Sequence, residues 1–525
     1  MKSKSPWLSF SALVAGTFVA LEAAGFQSPA IPTIVKSFGI APVLSGLILL
    51  CYYIGATTFG PVMGHFADLY GRKRMITIGL AIFAASEFLA AISTNFYFFL
   101  LCRFIQGLGS ACILPAAVAF VGHLFPKEKR GFPLGVLASA TYIGASIGSI
   151  LGGFLVKDYG WSIIYWVSGG LALVGLVLVS LWVEETPREE KKAFDYLGTT
   201  LLFLALGSLL SVTTLGSSQG WTSPYTLSAL AIGLIGVLLL WIVENRSDNP
   251  VVDLSLLKRS ELSLTAFIKF FTIALQQVVT YSLVYFLVSR PGGDSSDVGF
   301  VNMFAYIASA VGGLVMGKFF ADKFKTKYII IVNFIIFGCG LILYSRMDAS
   351  TPIWYAVMFV ILLGLSNGSQ TPALMKMALG VLPKDKLSKG SGLIVMLRDS
   401  GIPAGGATGL AVFNSINASN TQEALLNKAR QAGVSDNMQT AVEQAGRSAG
   451  QVIDPGLAVH LQTLGIKFDN LLTAAKLDAI PQTMQTLAYI LLGVTVILLL
   501  ISFRLPDDET KDSQLVNCSN ADVSV

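Results

Sequence analysis

Two ionisable side chains stand inside apolar stretches of this sequence. Glu22 lies near the middle of the first stretch, and Arg103 lies well inside the fourth. A charge in hydrocarbon usually faces a partner or a water-filled cavity. Burial disfavours a charged carboxylate, so Glu22 is a candidate for binding a proton or a cationic ligand. Arg103 is a candidate for tuning that charge, together with Gln106 one turn further on. The alternatives are a structural hydrogen bond from Glu22 and an Arg103 side chain that reaches the outer membrane surface.

Other charged residues in apolar stretches are weaker candidates. Glu87 lies in the third stretch, and Arg398 and Asp399 are adjacent in the thirteenth. Adjacent residues point to different sides of a helix, so Asp399 could pair with a neighbouring helix. Lys269 and Lys376 lie closer to helix ends, and we interpret them as extending to the membrane surface.

Polar and aromatic side chains recur in the later stretches. They suit a cavity for amphipathic compounds through stacking and cation–π contacts, although each alone could instead join two helices. The set comprises Gln276, Gln277, Tyr281, Asn302, Tyr306, Asn333, Asn367 and Gln370.

A charged loop joins the second and third stretches. It reads Gly64-His-Phe-Ala-Asp68-Leu-Tyr-Gly71-Arg72-Lys-Arg74. Asp68 can cap or face the positive end of a neighbouring helix, and Gly71 permits a tight turn. The cations hold the loop at the anionic inner membrane surface. The spacing favours a hinge in a protein that changes shape; the alternative is an anchor that only sets topology.

Glycines recur at short intervals along the fifth stretch. Such spacing lets another helix approach closely, although glycine is common in membrane helices generally. The set comprises Gly135, Gly144, Gly148, Gly152 and Gly153.

The composition indicates a polytopic, all-α membrane protein. The 525 residues are 54% hydrophobic and only 13% charged, against about 25% charged in soluble proteins. Fourteen apolar runs recur along the chain, each long enough to cross about 30 Å of hydrocarbon as a helix. The net charge of +5 therefore does not point to nucleic acid, and the five cysteines and three histidines lack metal-ligand spacing.

Loop charges predict the orientation. Alternate short loops carry clusters of lysine and arginine, and the loops between them carry at most one. Cations collect on the cytoplasmic side, which places both termini inside the cell. The polar insert 415–481 is then extracellular. Its composition favours a small helical hairpin over the outer mouth, with Asp454-Pro-Gly as a turn; a loop without a role is the alternative.

Three of these elements resemble signatures of the major facilitator superfamily. They are the Gly64–Arg74 loop, the run Arg103-Phe-Ile-Gln106-Gly-Leu-Gly and the glycines of the fifth stretch, in that order. The chain is similar to the fourteen-span drug–proton antiporters of this family. The run Leu397-Arg-Asp-Ser-Gly401 resembles an element of their penultimate span.

Details of the resemblance point both toward and away from drug exporters. Glu22 is similar to the glutamate of tetracycline exporters of Gram-positive bacteria. Ser149 stands where the exporter signature usually has proline, and Gly317–Lys323 is a degenerate second copy of the charged loop.

The resemblance implies an architecture of two six-helix bundles plus two extra central helices. The first bundle would occupy 1–190, the extra helices 191–250, and the second bundle 251–505, including the insert. Residues 506–525 would form a disordered cytoplasmic tail.

It also implies a proton-coupled antiporter, not an enzyme, that exports amphipathic or cationic small molecules by alternating access. The protein would act as a monomer in a bacterial plasma membrane, among its lipids, with a proton gradient and no cofactor. The alternative is transport of one metabolite or lipid by the same fold. A polytopic enzyme or receptor is disfavoured, because the sequence shows no catalytic dyad, metal cluster or nucleotide-binding loop.

Overall fold

A computed structural model describes most of the chain. The described residues are 6–125, 131–186, 195–247, 250–252, 254–316, 320, 324–348, 350–380, 387–447 and 453–506. Within these ranges the regular structure is helical, without β strands. The α-helices are α1 (Pro6–Phe38), α2 (Gly46–Tyr70), α3 (Arg72–Ala91), α4 (Phe96–Leu124), α5 (Gly131–Tyr159), α6 (Ser162–Trp182), α7 (Tyr196–Gln219), α8 (Pro224–Glu244), α9 (Ser260–Ser289), α10 (Ser295–Val315), α11 (Thr326–Tyr344), α12 (Ile353–Gly380), α13 (Leu387–Gln431), α14 (Gln439–Arg447), α15 (Pro455–Thr463) and α16 (Phe468–Ser502).

Short polar caps separate the long apolar helices. The Asn95 side chain accepts hydrogen bonds from the first backbone N–H groups of α4, and Asp195 does the same for α7. Ser223 caps α8, with Pro224 at the first helical position. Each cap satisfies N–H groups that lack a partner within the helix. These signals stop one helix and start the next within a few residues.

All helices other than α14 and α15 are long. Among the described residues, twelve of the long helices can cross a membrane by length and composition. The two further long helices, α1 and α13, bring the total to fourteen, in rough agreement with the predicted number of spans.

The packing divides the described helices into two similar halves. In the first, α1 packs on α5, α4 on α2 and α3, and α6 on α3. In the second, α9 packs on α13, α12 on α10 and α11, and α16 on α11. Replacing α1–α6 by α9–α13 and α16 reproduces the same pattern, which is the pseudo-symmetry expected of repeated bundles. Helices α7 and α8 pair with each other, and α7 contacts α2 and α13.

Two helix pairs make the most extensive contacts between the halves, and the pseudo-symmetry relates them to each other. They are α5 with α10 and α2 with α13. Helix α1 makes smaller contacts with α9 and α10. We call the end of the bundle that carries the α2–α3 loop the inner end, and the opposite end the outer end.

Residues 415–481 fold on the outer end and are continuous with two long helices. Helix α13 runs on to Gln431 and α16 begins at Phe468, so both helices continue into the segment 415–481 that was predicted as an insert. With α14 and α15 these extensions enclose a small apolar core, and Lys428 pairs with Asp478 at 2.8 Å. Asp454 caps α15 rather than forming an isolated turn.

Candidate functional site

A cavity of about 60 Å³ lies between the two halves. The first half contributes α1, α2 and α4 to its wall, and the second contributes α9, α10 and α13. The lining residues are Gln27, Ser28, Leu49, Tyr52, Tyr53, Arg103, Gln106, Gln277, Thr280, Tyr281, Tyr306 and Ile402. The wall therefore combines phenol rings, amides and one guanidinium group, which suits amphipathic ligands with a polar or charged end.

Arg103 lies in the cavity wall and is 2% exposed. Its guanidinium donates to the side-chain oxygens of Gln106 and Gln27 and, at 3.5 Å, to the backbone oxygen of Ile48. It also lies over the ring of Tyr52, 4.9 Å from the centroid. The Arg103 side chain thus turns into the bundle and does not extend to the outer surface.

Gln106 connects Arg103 to a buried carboxyl group on α3. Its side-chain NH₂ donates to Oε1 of Glu87, which is 1% exposed. Ser168 on α6 also donates to Oε1 of Glu87, at 3.4 Å. The charges of Arg103 and Glu87 are therefore joined through one amide, and a second small cavity lies beside Glu87, Arg103 and Gln106.

The second half holds its own intramembrane charges. Nε of Arg398 donates to Oδ1 of Asp399 at 2.6 Å. The partner of Asp399 in this ion pair is therefore its sequence neighbour, whereas we had considered a partner on a neighbouring helix. Lys269 is 3% exposed, and its Nζ lies 3.4 Å from Oδ1 of Asn367. The prediction that Lys269 extends to the membrane surface is wrong, because α9 turns this side chain toward α12 rather than toward lipid.

The polar set of the second half separates into two groups. Gln277, Tyr281 and Tyr306 line the cavity. Others join helices: Asn302 donates to Ser28 at 3.0 Å, and Asn333 accepts from Ser369. Some of these polar residues therefore line the cavity and others join two helices, as the sequence allowed.

The glycines of α5 allow close contact with helices of both halves. A Cβ at Gly152 would lie 2.9 Å from the Phe26 side chain of α1. A Cβ at Gly153 would lie 2.7 Å from the Ser295 backbone oxygen of α10. Gly144 and Gly148 are buried in the same helix, whereas Gly135 lies where only the backbone is described. Ser149, at the position of the family proline, is fully buried in an uninterrupted helix.

Polar contacts hold the halves together at their outer ends. Lys157 pairs with Asp294 at 2.8 Å, and Ser295 donates to the Gly153 backbone oxygen at 3.1 Å. Partial burial raises the pKa of the Asp294 carboxyl, but hydrogen bonds from Lys157 and Ser296 outweigh it and lower the pKa to about 2. The ion pair therefore stays charged over the physiological pH range.

The Gly64–Arg74 loop is fastened to its own half by a residue that the sequence did not single out. The Glu185 carboxylate accepts the backbone N–H groups of Lys73 and Arg74, each at 3.0 Å. Gly71 separates α2 from α3 with a φ of 105°, and a Cβ there would lie 2.5 Å from the Glu185 carboxyl carbon. The carboxylate caps the positive end of α3, the role considered for Asp68.

The segment predicted as a loop is helical except at Gly71, so its other residues lie at the end of α2 and the start of α3. Gly64 faces Pro115 of α4, and a Cβ added at Gly64 would lie 3.5 Å from the Pro115 Cβ. The Arg72 backbone N–H donates to Thr186 at 3.2 Å. Asp68 and Glu22 lie on described helices, but their side chains lie outside the described residues.

The profile of the Major Facilitator Superfamily matches residues 12–196 and 193–406. The multidrug transporter protein MdtP of Bacillus subtilis is 25% identical over 375 residues, covering 71% of this chain and 69% of the relative. The acurin A biosynthesis cluster MFS-type transporter of Aspergillus aculeatus is 28% identical over 422 residues, covering 78% and 75%.

The fold is similar to the crystal structure of a bacterial homologue of the human lysosomal transporter Spinster, in an inward-facing and unoccupied conformation. The TM-score is 0.63 at 14% identity, and the match covers 96% of this chain and 98% of the other. At this identity the likeness concerns the fold alone. The profile match extends through both halves, and the two relatives named above are membrane transporters rather than enzymes. The chain therefore belongs to the Major Facilitator Superfamily and is a multi-pass membrane transporter of small molecules.

Proposed function

We propose that this transporter exports amphipathic, mainly cationic, compounds in exchange for protons. The observation that carries the proposal is that Arg103 and Gln106 lie in the wall of the cavity between the halves and that Gln106 connects them to the buried Glu87. Tyrosine rings on both sides of the cavity suit flat cations through cation–π contact. The printed name of MdtP, a multidrug transporter, agrees with such a range of substrates.

The proposed cycle is alternating access across the plasma membrane, with both termini in the cytoplasm. In this cycle the α5–α10 contact and the Lys157–Asp294 pair would hold the outer end closed, so substrate would enter from the inner end. Asp68 and Arg72 would close the inner end in the opposite state. The proton gradient supplies the energy, without a bound cofactor.

Glu22 and Glu87 are the candidate acids. Glu22 would bind the proton or the substrate cation on α1, and Arg103 would respond to the change in charge. In either role, Glu22→Gln should abolish proton-driven efflux while the protein still inserts and folds.

The test is uptake of ethidium into inverted vesicles with an imposed proton gradient. Wild-type protein should accumulate ethidium only when the gradient is present, and a protonophore should stop the uptake. Equal accumulation of ethidium with and without the gradient would contradict the proton coupling. Undiminished uptake by Glu22→Gln would remove Glu22 from the mechanism.

Transport of one metabolite is the second candidate function. The fungal relative is named for a biosynthesis cluster, and Ser149 departs from the exporter signature. A panel of cationic drugs distinguishes the two functions. Failure of the whole panel, together with saturable binding of a single metabolite, favours this second function.

A further inference from the structure

We infer that Glu87 is the proton-binding group of the transporter, and that its charge sets the affinity of the cavity for cationic substrates through Gln106 and Arg103. The inference rests on the proposed proton antiport and names the group that carries the proton. It assigns Gln106 as a positioning residue between the proton site and the substrate cavity.

The first observation is the chain of hydrogen bonds across four helices. Gln27 on α1 accepts from Arg103 on α4, and Gln106 on α4 accepts from Arg103 through its oxygen. The NH₂ group of Gln106 donates to Glu87 on α3, which also accepts from Ser168 on α6. One amide therefore uses its acceptor for the guanidinium and its donors for the carboxylate, as each charged form requires.

The second observation is that both charges are buried and that Arg103 lies beside the cavity between the halves. Glu87 is 1% exposed and Arg103 is 2% exposed. A buried carboxylate persists only when opposite charge and hydrogen bonds compensate it. Arg103 borders that cavity as well as the smaller one beside Glu87, so the compensating charge also faces the substrate space.

The groups around Glu87 limit the alternatives. The small cavity beside Glu87 is also lined by Arg103 of α4 and Tyr165 of α6, and Cys102 lies next to Arg103 in the chain. Thiols and phenols are neutral in their ordinary form near neutral pH. Arg103 remains the charged partner, because a guanidinium does not deprotonate in proteins. Among these groups Glu87 is therefore the one carboxyl group, and we assign the proton to it.

Competition between proton and substrate follows from the charge balance. With Glu87 ionised, the carboxylate and the guanidinium sum to zero, and a cation can occupy the cavity beside Arg103. With Glu87 protonated, the same group of residues carries one positive charge, which repels a cation. A proton arriving at Glu87 thus promotes release of a cationic substrate, and departure of that proton restores binding.

The test measures proton release when substrate binds to the purified full-length protein. The probe is tetraphenylphosphonium, with neutral triphenylphosphine oxide for comparison, in weakly buffered detergent solution that contains a pH dye. Binding of the cation to wild type should release protons, and binding of the neutral compound should release fewer. Glu87→Gln should release none, and its affinity for the cation should fall on the order of tenfold with little change for the neutral compound.

Glu244→Gln is the matched control. Glu244 is 5% exposed and accepts from the Val252 backbone N–H, but it lies at the end of α8, outside the two bundles. Release in this variant should equal that of wild type. Proton release that persists in Glu87→Gln would overturn the inference while leaving proton antiport intact.

A second variant, Gln106→Asn, provides a test if Glu87→Gln does not fold. Gln106→Asn shortens the bridge, so the pH midpoint of tetraphenylphosphonium binding should move by about half a unit or more. An unchanged midpoint in a folded Gln106→Asn protein would also overturn the inference. If wild type itself binds the cation without proton release and vesicles show no gradient-driven uptake, the proposed function fails instead.

Discussion

Substituting Gly299 with alanine should push the two halves of the transporter apart at their outer ends. Gly299 on α10 faces Ser149 and Gly153 on α5. A Cβ at Gly299 would lie 2.3 Å from the Ser149 backbone oxygen and 3.0 Å from the Gly153 Cα. Backbone atoms cannot rotate out of the way, so the helices must separate.

The geometry gives the size of the effect. Ordinary contact begins at 3.4 Å, so α5 and α10 must separate by about 1 Å. Overpacking of this kind usually costs about 1–3 kcal/mol. The cost applies to the state in which these helices touch. It therefore shifts the equilibrium toward the outward-open state by about 5- to 150-fold.

Cysteine labelling from outside the cell measures this shift. Ser45 is fully buried between the halves, and its hydroxyl lies 3.2 Å from that of Tyr285. With the native cysteines replaced by alanine, Ser45→Cys should react with a membrane-impermeant maleimide only when the outer end opens. Adding Gly299→Ala should increase the labelling rate by the factor given above.

Gly170→Ala is the control for the glycine-to-alanine change itself. Gly170 lies in helix α6, and an added Cβ would meet nothing within 4 Å. Both substitutions raise helix propensity by about 1 kcal/mol, so this contribution cancels in the comparison. Equal labelling rates in the two folded variants would refute the argument that the α5–α10 contact closes the outer end.

Three further predictions concern single contacts. Asp294→Asn should speed labelling of Ser45→Cys because it breaks the pair with Lys157. In the parent protein, lowering the outside pH from 7.5 to 5 should have no effect. The folded pKa of Asp294 is lowered to about 2, so its stabilising contribution is complete above the unfolded pKa of about 4 and is lost only as the pH falls toward 2; faster labelling at pH 5 would contradict this. Glu185→Ala should lower the free energy of unfolding by about 1–2 kcal/mol, because α3 loses its cap; an unchanged thermal transition would show that the cap contributes nothing. Arg103→Lys should reduce ethidium uptake at least about tenfold without loss of insertion, because an ammonium cannot reproduce the forked contacts of the guanidinium; uptake at the wild-type rate would mean that charge alone suffices.

Much of the fold could be predicted because membrane helices carry strong local signals. Apolar runs, caps such as Asn95, and the spacing of Arg103 and Gln106 all lie within short segments of sequence. The family follows from such segments, and the profile match confirms it. The importance of Arg103 could likewise be inferred from the cost of burying one charge.

The partners of these residues could not be predicted, because they depend on how distant helices rotate and pack. Glu87 meets Gln106 across 19 positions of sequence, and Arg103 meets Gln27 across 76. No local pattern encodes these pairings. Glu185 was overlooked for a different reason: it follows α6 in a charged segment, where a single carboxylate resembles an ordinary surface residue.

Lys269 and Asp399 show the limits of helix geometry applied to one helix at a time. Distance from a helix end suggested that Lys269 could reach the surface, but the side of the helix it occupies decides its environment. Adjacent positions diverge at Cβ, yet the long Arg398 side chain can fold back to Asp399. Both outcomes depend on which neighbouring helices occupy the surrounding space.

The 45 residues of α13 run without a break from the inner end of the bundle into the insert, a length of about 68 Å. A tilt of about 5° in such a rod moves its far end by about 6 Å. The apolar core of the insert packs the end of α13 against α16, so this displacement would move α16 as well. In the proposed orientation the insert is exposed to the extracellular medium. An antibody fragment that bound the insert would therefore hold the transporter in one conformation without contacting the buried cavity.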